Sequence, residues 1–320
     1  MTMFLVSAIS IATVLLYGCV GEIVTEKAGH LNLGIPGIMC MGTAGGCLGV
    51  SLYMGALSSP ENASWFLLVL ISFFFSVIFA ALLGGVYALL TVTLRCNQNI
   101  TGLAVTIFGG GATNFLMHSF VDRTHFEAAG KIVSASLPFA EHLGGFGEVV
   151  FGHGVFVYLA IAIALACFLV LNKTRVGLHL RAVGESPATA DAAGINVTAY
   201  KYVAILAGSA IAGLGGFYYI MDYIKGSWEN AGTIEAFGWL AIALVIFVLW
   251  KPHLGILGAI LFGACYIVYA IVDISPTQKE IIKMLPYVVT IVVLVLTSIR
   301  KKREHQPPAS LGLPYFREDR

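Results

Sequence analysis

The sequence predicts an all-α polytopic membrane protein with about nine transmembrane helices, and two observations predict it. Hydrophobic residues make up 58% of its 320 residues and charged ones 11%, against roughly 45–50% and 25% in soluble domains. A soluble chain of this length could not keep so apolar a surface wet, so lipid is the solvent for most of it. Apolar runs also recur at the length a bilayer demands, about 20 helical residues for a core of about 30 Å. Such runs must be helical, because only helices and closed barrels satisfy every backbone group in hydrocarbon.

The runs lie near 3–21, 35–57, 64–93, 100–120, 153–172, 200–221, 233–250, 254–272 and 284–299. The first lacks a basic leader and a small-residue cleavage site, and reads as a retained helix rather than a signal peptide. The third is long and is expected to break at Gly84-Gly85, so the range is eight to ten spans. The connection 121–152 is the longest on its side and is expected to hold a short surface helix or a re-entrant turn. Basic residues then fix the orientation. Arg95, the group Lys173, Arg175, Arg181 and Lys201, then Lys251, then Arg300 to Arg303 all fall on one side if the count is nine. The opposite loops are mixed or acidic, which puts the N-terminus outside and the C-terminus in the cytoplasm. Residues 1–303 read as one membrane domain, and 304–320 as a cytoplasmic tail with little structure, since it carries Pro307-Pro308 and no apolar period.

Small residues recur at helical spacing. Gly208, Ala212 and Gly216 fall four apart, as do Gly255, Ala259 and Gly263. Such stripes let helix backbones approach closely inside lipid. For Gly109-Gly110-Gly111, packing is likewise favoured over a loosened helix beside a permeation path. The six cysteines form no Cys-x-x-Cys pair, and five sit in or beside apolar runs. They read as buried thiols rather than a disulfide or metal framework.

The chemistry that is missing narrows the function. The net charge of +1 excludes a strongly basic nucleic-acid binder. No P-loop occurs, so the chain does not bind ATP through one of its own, and neither a His-Glu-x-x-His zinc motif nor a Gly-x-Ser-x-Gly elbow is present. Nothing marks it as an enzyme, and no cofactor or metal is expected on it. A transporter, a channel or an assembly factor remains. Glu22, Glu26 and Lys27 are expected to form a solvated interfacial loop with a local ion pair. Asn32, Asn114 and Glu235 are expected to face a bundle interior, as substrate-path groups or as interhelical hydrogen bonds.

One stretch differs from the rest. In "LRAVGESPATADAAGINV", residues 180–197, Ser186 suits a helix N-cap, Pro187 the first helical position and Gly194 the stop. Between them lie small residues and Asp191. A helix so short is marginal in water and needs a surface to lie on. Ala188 and Ala192 offer a smooth face, with Arg181, Glu185 and Asp191 at its edges. On the residues alone, a docking knob and an ordinary connector both remain open.

This segment resembles the cytoplasmic coupling segment of permease subunits of ATP-binding-cassette importers, in the branch serving ribose, branched-chain amino acids and nucleosides. "GEIVTEKAGHLNLGIPGIMCMGTAGG" is similar to that family's second-helix approach, and "TLRCNQNITGLAVTIFGGGATNFL" to its fourth span. "GWLAIALVIFVLWKPHLGILGAILFG", "MLPYVVTIVVLVLT" and "PASLGLPY" are similar to its last spans and tail. Together they favour the nucleoside subgroup. Where relatives show Asn-x-Gly-x-Glu-Gly, Pro36 replaces the acidic residue, which puts the local helix shape in question.

The resemblance implies a membrane permease in a bacterial cytoplasmic membrane, importing a small molecule, with nucleosides favoured over sugars and branched-chain amino acids. It also implies an ATPase subunit carrying ATP and Mg, a second and different permease chain, and a substrate-binding lipoprotein. Arg181, Gly184, Glu185, Ser186, Pro187, Ala188, Asp191, Ala192 and Gly194 would couple to the ATPase. Asn32, Asn114 and Glu235 are the expected substrate-path residues. Changing Gly184 or Glu185 is expected to uncouple transport with the fold intact.

Overall fold

A computed structural model describes residues 2–136, 144–271, 275–300 and 306–316. Its apolar helices follow the sequence in order: α1 (Thr2–Glu26), α2 (Ile35–Gly55), α3 (Trp65–Ala88), α4 (Gln98–Ser119), α7 (Val155–Lys173), α10 (Val197–Tyr218), α11 (Gly232–Phe247), α12 (Pro252–Ile271) and α14 (Leu285–Arg300). Shorter helices lie between them: α5 (Phe126–Val133), α6 (Gly144–Phe151), α8 (Arg175–Glu185), α9 (Pro187–Ala192) and α13 (Pro276–Lys283). Every expected span has its helix. Among the described residues, six are long and apolar enough to cross a membrane, and α11 is shorter. At 16 residues and about 1.5 Å per residue, α11 is shorter than the bilayer core.

The centre of the bundle is α1, α2 and α10, and small residues put it there. Gly21 meets Gly208 and Ala212, Gly42 meets Gly213, and Gly216 sits against Met39 and Thr43. The second stripe works on the other side of α1, where Gly263 lies on the Ala8 carbonyl and on Ala12. A Cβ at these glycines would enter neighbouring backbone, so each stripe packs helix on helix as expected. Gly109 does the same against Gly37, joining α4 to α2.

Two expectations change. The Gly84-Gly85 pair does not break α3. Gly84 brings the helix onto Ser209 of α10, and the departure comes later, as a π turn at Leu89–Thr93. A matching π turn, Tyr219–Tyr223, ends α10. Pro36 leaves α2 undistorted, because it lies in the first turn of that helix, where its missing N–H is not needed. It packs there against Gly238 of α11.

Glu22 and Glu26 are also not in a solvated loop. They lie in the last turns of α1, 0% and 3% exposed. Glu22 Oε1 accepts the Asn32 N–H at 2.8 Å, and Glu26 Oε2 accepts the indole N–H of Trp250. That bond reaches a turn of two successive left-handed residues, Leu249 and Trp250, both at φ 55°, a conformation bulky side chains adopt rarely. The loop 121–152 holds two short helices, α5 and α6, with 137–143 outside the described residues. All six cysteines are free thiols, with Cys96 exposed.

Candidate functional site

The polar segment folds as its residues dictate. Thr174 caps α8 by accepting the Gly177 N–H at 3.1 Å. Ser186 accepts the Thr189 N–H at 3.4 Å to start α9, and Pro187 is in its first turn. Gly194, at φ 82°, ends it. Its N–H bonds the Asp191 carbonyl and the Ile195 N–H bonds that of Ala190, both at 3.0 Å, the paired closure of a glycine-terminated helix. Ala190 points inward, against Val183 and Val197. Ala188 and Ala192 are exposed. The smooth face read from the sequence is thus turned outward on an anchored helix.

What holds this segment to the bundle was not legible beforehand. Gly184 is buried against the Lys27 carbonyl and, beyond it, the N–H of Gly29. Ser310 closes the joint from the tail: its N–H and its hydroxyl both donate to the Gly184 carbonyl, at 3.1 and 2.5 Å. The Gly312 N–H donates to the Gly29 carbonyl at 3.3 Å. Gly29 itself is at φ 83°, with Ser310 over it. Over 306–316 the tail has turns rather than helices and is tied down here, by Gln98 Nε2 to the Leu313 carbonyl at 3.4 Å, and by Tyr315. Gly184 is therefore inside the joint, whereas Glu185 is exposed.

Electrostatics follow from this placement. Burial holds the Lys27 ammonium below its usual range, opposed by the Glu185 carboxylate and reinforced by the Arg181 charge. His30, 1% exposed, is held down to about 3 by burial first and the Lys201 charge second, and is neutral. The Glu26–Trp250, Gly184–Gly29 and Gln98–Leu313 contacts bring the basic loops onto one end of the bundle.

The three polar candidates do not form one group. Asn114 and Glu235 converge near the other end, where Asn114 Oδ1 accepts the Ala231 N–H at 3.0 Å and the Glu235 carboxylate faces Gly110, one turn from Asn114 on α4. Asn32 is apart from both, fully buried beside Glu22, its Oδ1 accepting the Gly34 N–H at 3.0 Å. Among the described residues, no three His, Cys, Asp or Glu side chains gather as a metal site.

A helical bundle with glycine-packed spans and an anchored polar helix at one end is the architecture of a polytopic membrane protein. The chain belongs to the family described as the permease component of the branched-chain amino acid transport system, whose model matches residues 4–294. It is similar to the nucleoside ABC transporter permease protein NupC of Lactococcus lactis subsp. cremoris, 30% identical over 89% of each chain. The guanosine ABC transporter permease protein NupQ of Bacillus subtilis is 28% identical, over 97% of this chain and 95% of the relative. TsgC13 of Haloferax volcanii, provisionally named a glucose ABC transporter permease protein, is 31% identical over 80% of this chain and 74% of its own. The protein is a multi-pass membrane permease component.

Proposed function

We propose that the chain imports nucleosides as one half of an ATP-driven translocation path. The observation that carries the coupling role is the capped helix α9, anchored through Ala190 with Ala188 and Ala192 outward. In this reading a groove on a separate ATPase subunit, which holds ATP and Mg, receives that face. Closure of the ATPase pulls on α9, and the Gly184–Gly29 joint passes the displacement to α1. The partner permease is a different chain, and a binding lipoprotein delivers the substrate. The membrane is the bacterial cytoplasmic membrane, with α9 on its cytoplasmic side and the N-terminus outside.

Arg181, Glu185, Ser186, Pro187, Asp191 and Gly194 shape and flank the docking face, and Gly184 supports it from beneath. Asn114 and Glu235 are assigned to the path because both present polar groups at one helix junction. Asn32 keeps that assignment at the inner end. The similarity to NupC and NupQ supports nucleosides, and that to TsgC13 supports a sugar as the second reading.

Uptake of labelled guanosine and uridine by cells with and without the gene tests the proposal. Unlabelled ribose and leucine serve as competitors, with a parallel ATP-depleted sample. Loss on deletion, insensitive to both competitors and abolished without ATP, is expected. Unchanged nucleoside uptake in cells lacking a redundant importer overturns the substrate.

A further inference from the structure

A cavity of about 450 Å³ opens at the basic end, between the close of the coupling segment, the first turn of α10, the π turn after α3 and the tail. That volume is in the range of small-molecule pockets, roughly 300–1,000 Å³. Lys201 lines it. The residue is 3% exposed, yet among the described residues its ammonium has no carboxylate or hydrogen-bond partner. The Tyr315 ring lies 6.0 Å from the Lys201 Nζ, measured to the centroid, at the edge of cation–π reach. The Lys201 stem is buried while the ammonium opens into the cavity, and a cation so partly desolvated without an anion favours an anionic occupant.

The groups around Lys201 point the same way. One turn earlier, the N-terminus of α10 borders the cavity through Val197 and Thr198. Asn196 Oδ1 takes the Ala199 N–H at 3.0 Å, leaving those two earlier N–H groups for a ligand, at the positive end of a 22-residue helix. His30 lines the inner wall, buried, with neither ring nitrogen partnered. Arg95 is at the rim, its guanidinium 4.8 Å from the centre of the Phe316 ring. One carboxylate lines the cavity, Asp191, and it is engaged by the Tyr315 hydroxyl at 2.8 Å.

We infer that this cavity binds a phosphomonoester, its phosphate held by the Lys201 ammonium and the N–H groups of Val197 and Thr198. The volume leaves room for more than a bare phosphate. Two sources carry this chemistry, a soluble phosphorylated metabolite and a lipid whose headgroup is a terminal phosphate. Because Asp191 and Tyr315 form part of the wall, an occupant also fastens the tail to the coupling segment.

The test uses the full chain purified in detergent, with labelled uridine 5′-monophosphate as probe and inorganic phosphate and uridine as competitors. A parallel set is placed in phosphatidylcholine nanodiscs with and without phosphatidic acid, and melting is followed. Phosphate should displace the nucleotide and uridine should not. Lys201→Met should weaken binding about thirtyfold or more, the scale of losing one member of a buried charge pair. It should also raise the melting temperature of the ligand-free protein, and Lys201→Arg should retain binding. Binding in detergent identifies the soluble source, and stabilisation only with phosphatidic acid identifies the lipid. The inference is overturned if wild type responds to neither probe, if Lys201→Met binds as wild type does, or if uridine competes as well as phosphate.

Discussion

Tyr315 donates its hydroxyl to Asp191 Oδ2 at 2.8 Å, joining the tail to the last turn of α9 across 124 residues of chain. Tyr315→Phe keeps the ring and removes the bond. A single half-buried hydrogen bond contributes about 1 kcal/mol, so a small drop in melting temperature is expected. The more sensitive readout is faster proteolytic trimming of the tail, and an unchanged trimming rate would count against this fastening.

Gly184 and Glu185 are adjacent but should fail differently. A methyl group at Gly184 would enter the Lys27 carbonyl, and overpacking of this kind is destabilising by about 1–3 kcal/mol. Gly184→Ala should therefore lower the melting temperature as well as uptake. This replaces the expectation of an intact fold at that position. Glu185→Arg should lower melting less than Gly184→Ala does, through the lost attraction to the Lys27 ammonium, and abolish ATP-driven uptake; full uptake would remove Glu185 from the docking face.

Trp250 supplies the hydrogen bond to buried Glu26. Removing the donor leaves a buried acceptor unsatisfied, a penalty of about 1–3 kcal/mol. Trp250→Phe should destabilise by that order. Glu26→Gln should be milder, because its amide oxygen still accepts that N–H, and the double variant should fall short of the sum, because an unpaired neutral amide costs less than an unpaired carboxylate. Additive melting shifts would show that the pair is not coupled.

Asn114→Leu removes the acceptor for the Ala231 N–H at the start of α11. Reduced uptake at normal expression is expected, with a loss of affinity if Asn114 also faces the substrate. Normal affinity and rate would take it off the path.

His30 gives a pH prediction with a definite sign. Its folded-state value of about 3 is below the ordinary 6.5, so the unfolded chain binds the extra proton between those limits. Its contribution to stability is complete above about pH 6.5 and is lost as the pH falls toward 3. Wild type should melt progressively earlier below pH 6.5, and His30→Gln should flatten part of that slope. Identical slopes would show that His30 is protonated in the folded protein.

What the sequence made legible was local. Ser186, Pro187 and Gly194 act through bonds to residues three or four positions away, so caps and stop could be read directly. The stripes at Gly208 and Gly263 were legible as packing surfaces, though not as surfaces for α1. Gly184 meets Lys27 and Gly29 from more than 150 residues away, and no local pattern encodes such a contact. Glu26 read as solvated because its partner, Trp250, lies 224 residues away in the chain. The breaks in α3 and α10 fall at π turns with no glycine or proline in them, so the usual punctuation pointed elsewhere.

The Ser310 bonds to Gly184 also have a consequence for biogenesis. Ser310 leaves the ribosome after α14, so the joint among Gly29, Gly184 and the tail closes only when translation has passed that point. A chain stopped after α14 would insert its helices yet leave α8 and α9 without the Ser310 bonds. The face proposed to dock is thus stiffened only once residue 310 has been made and folded back.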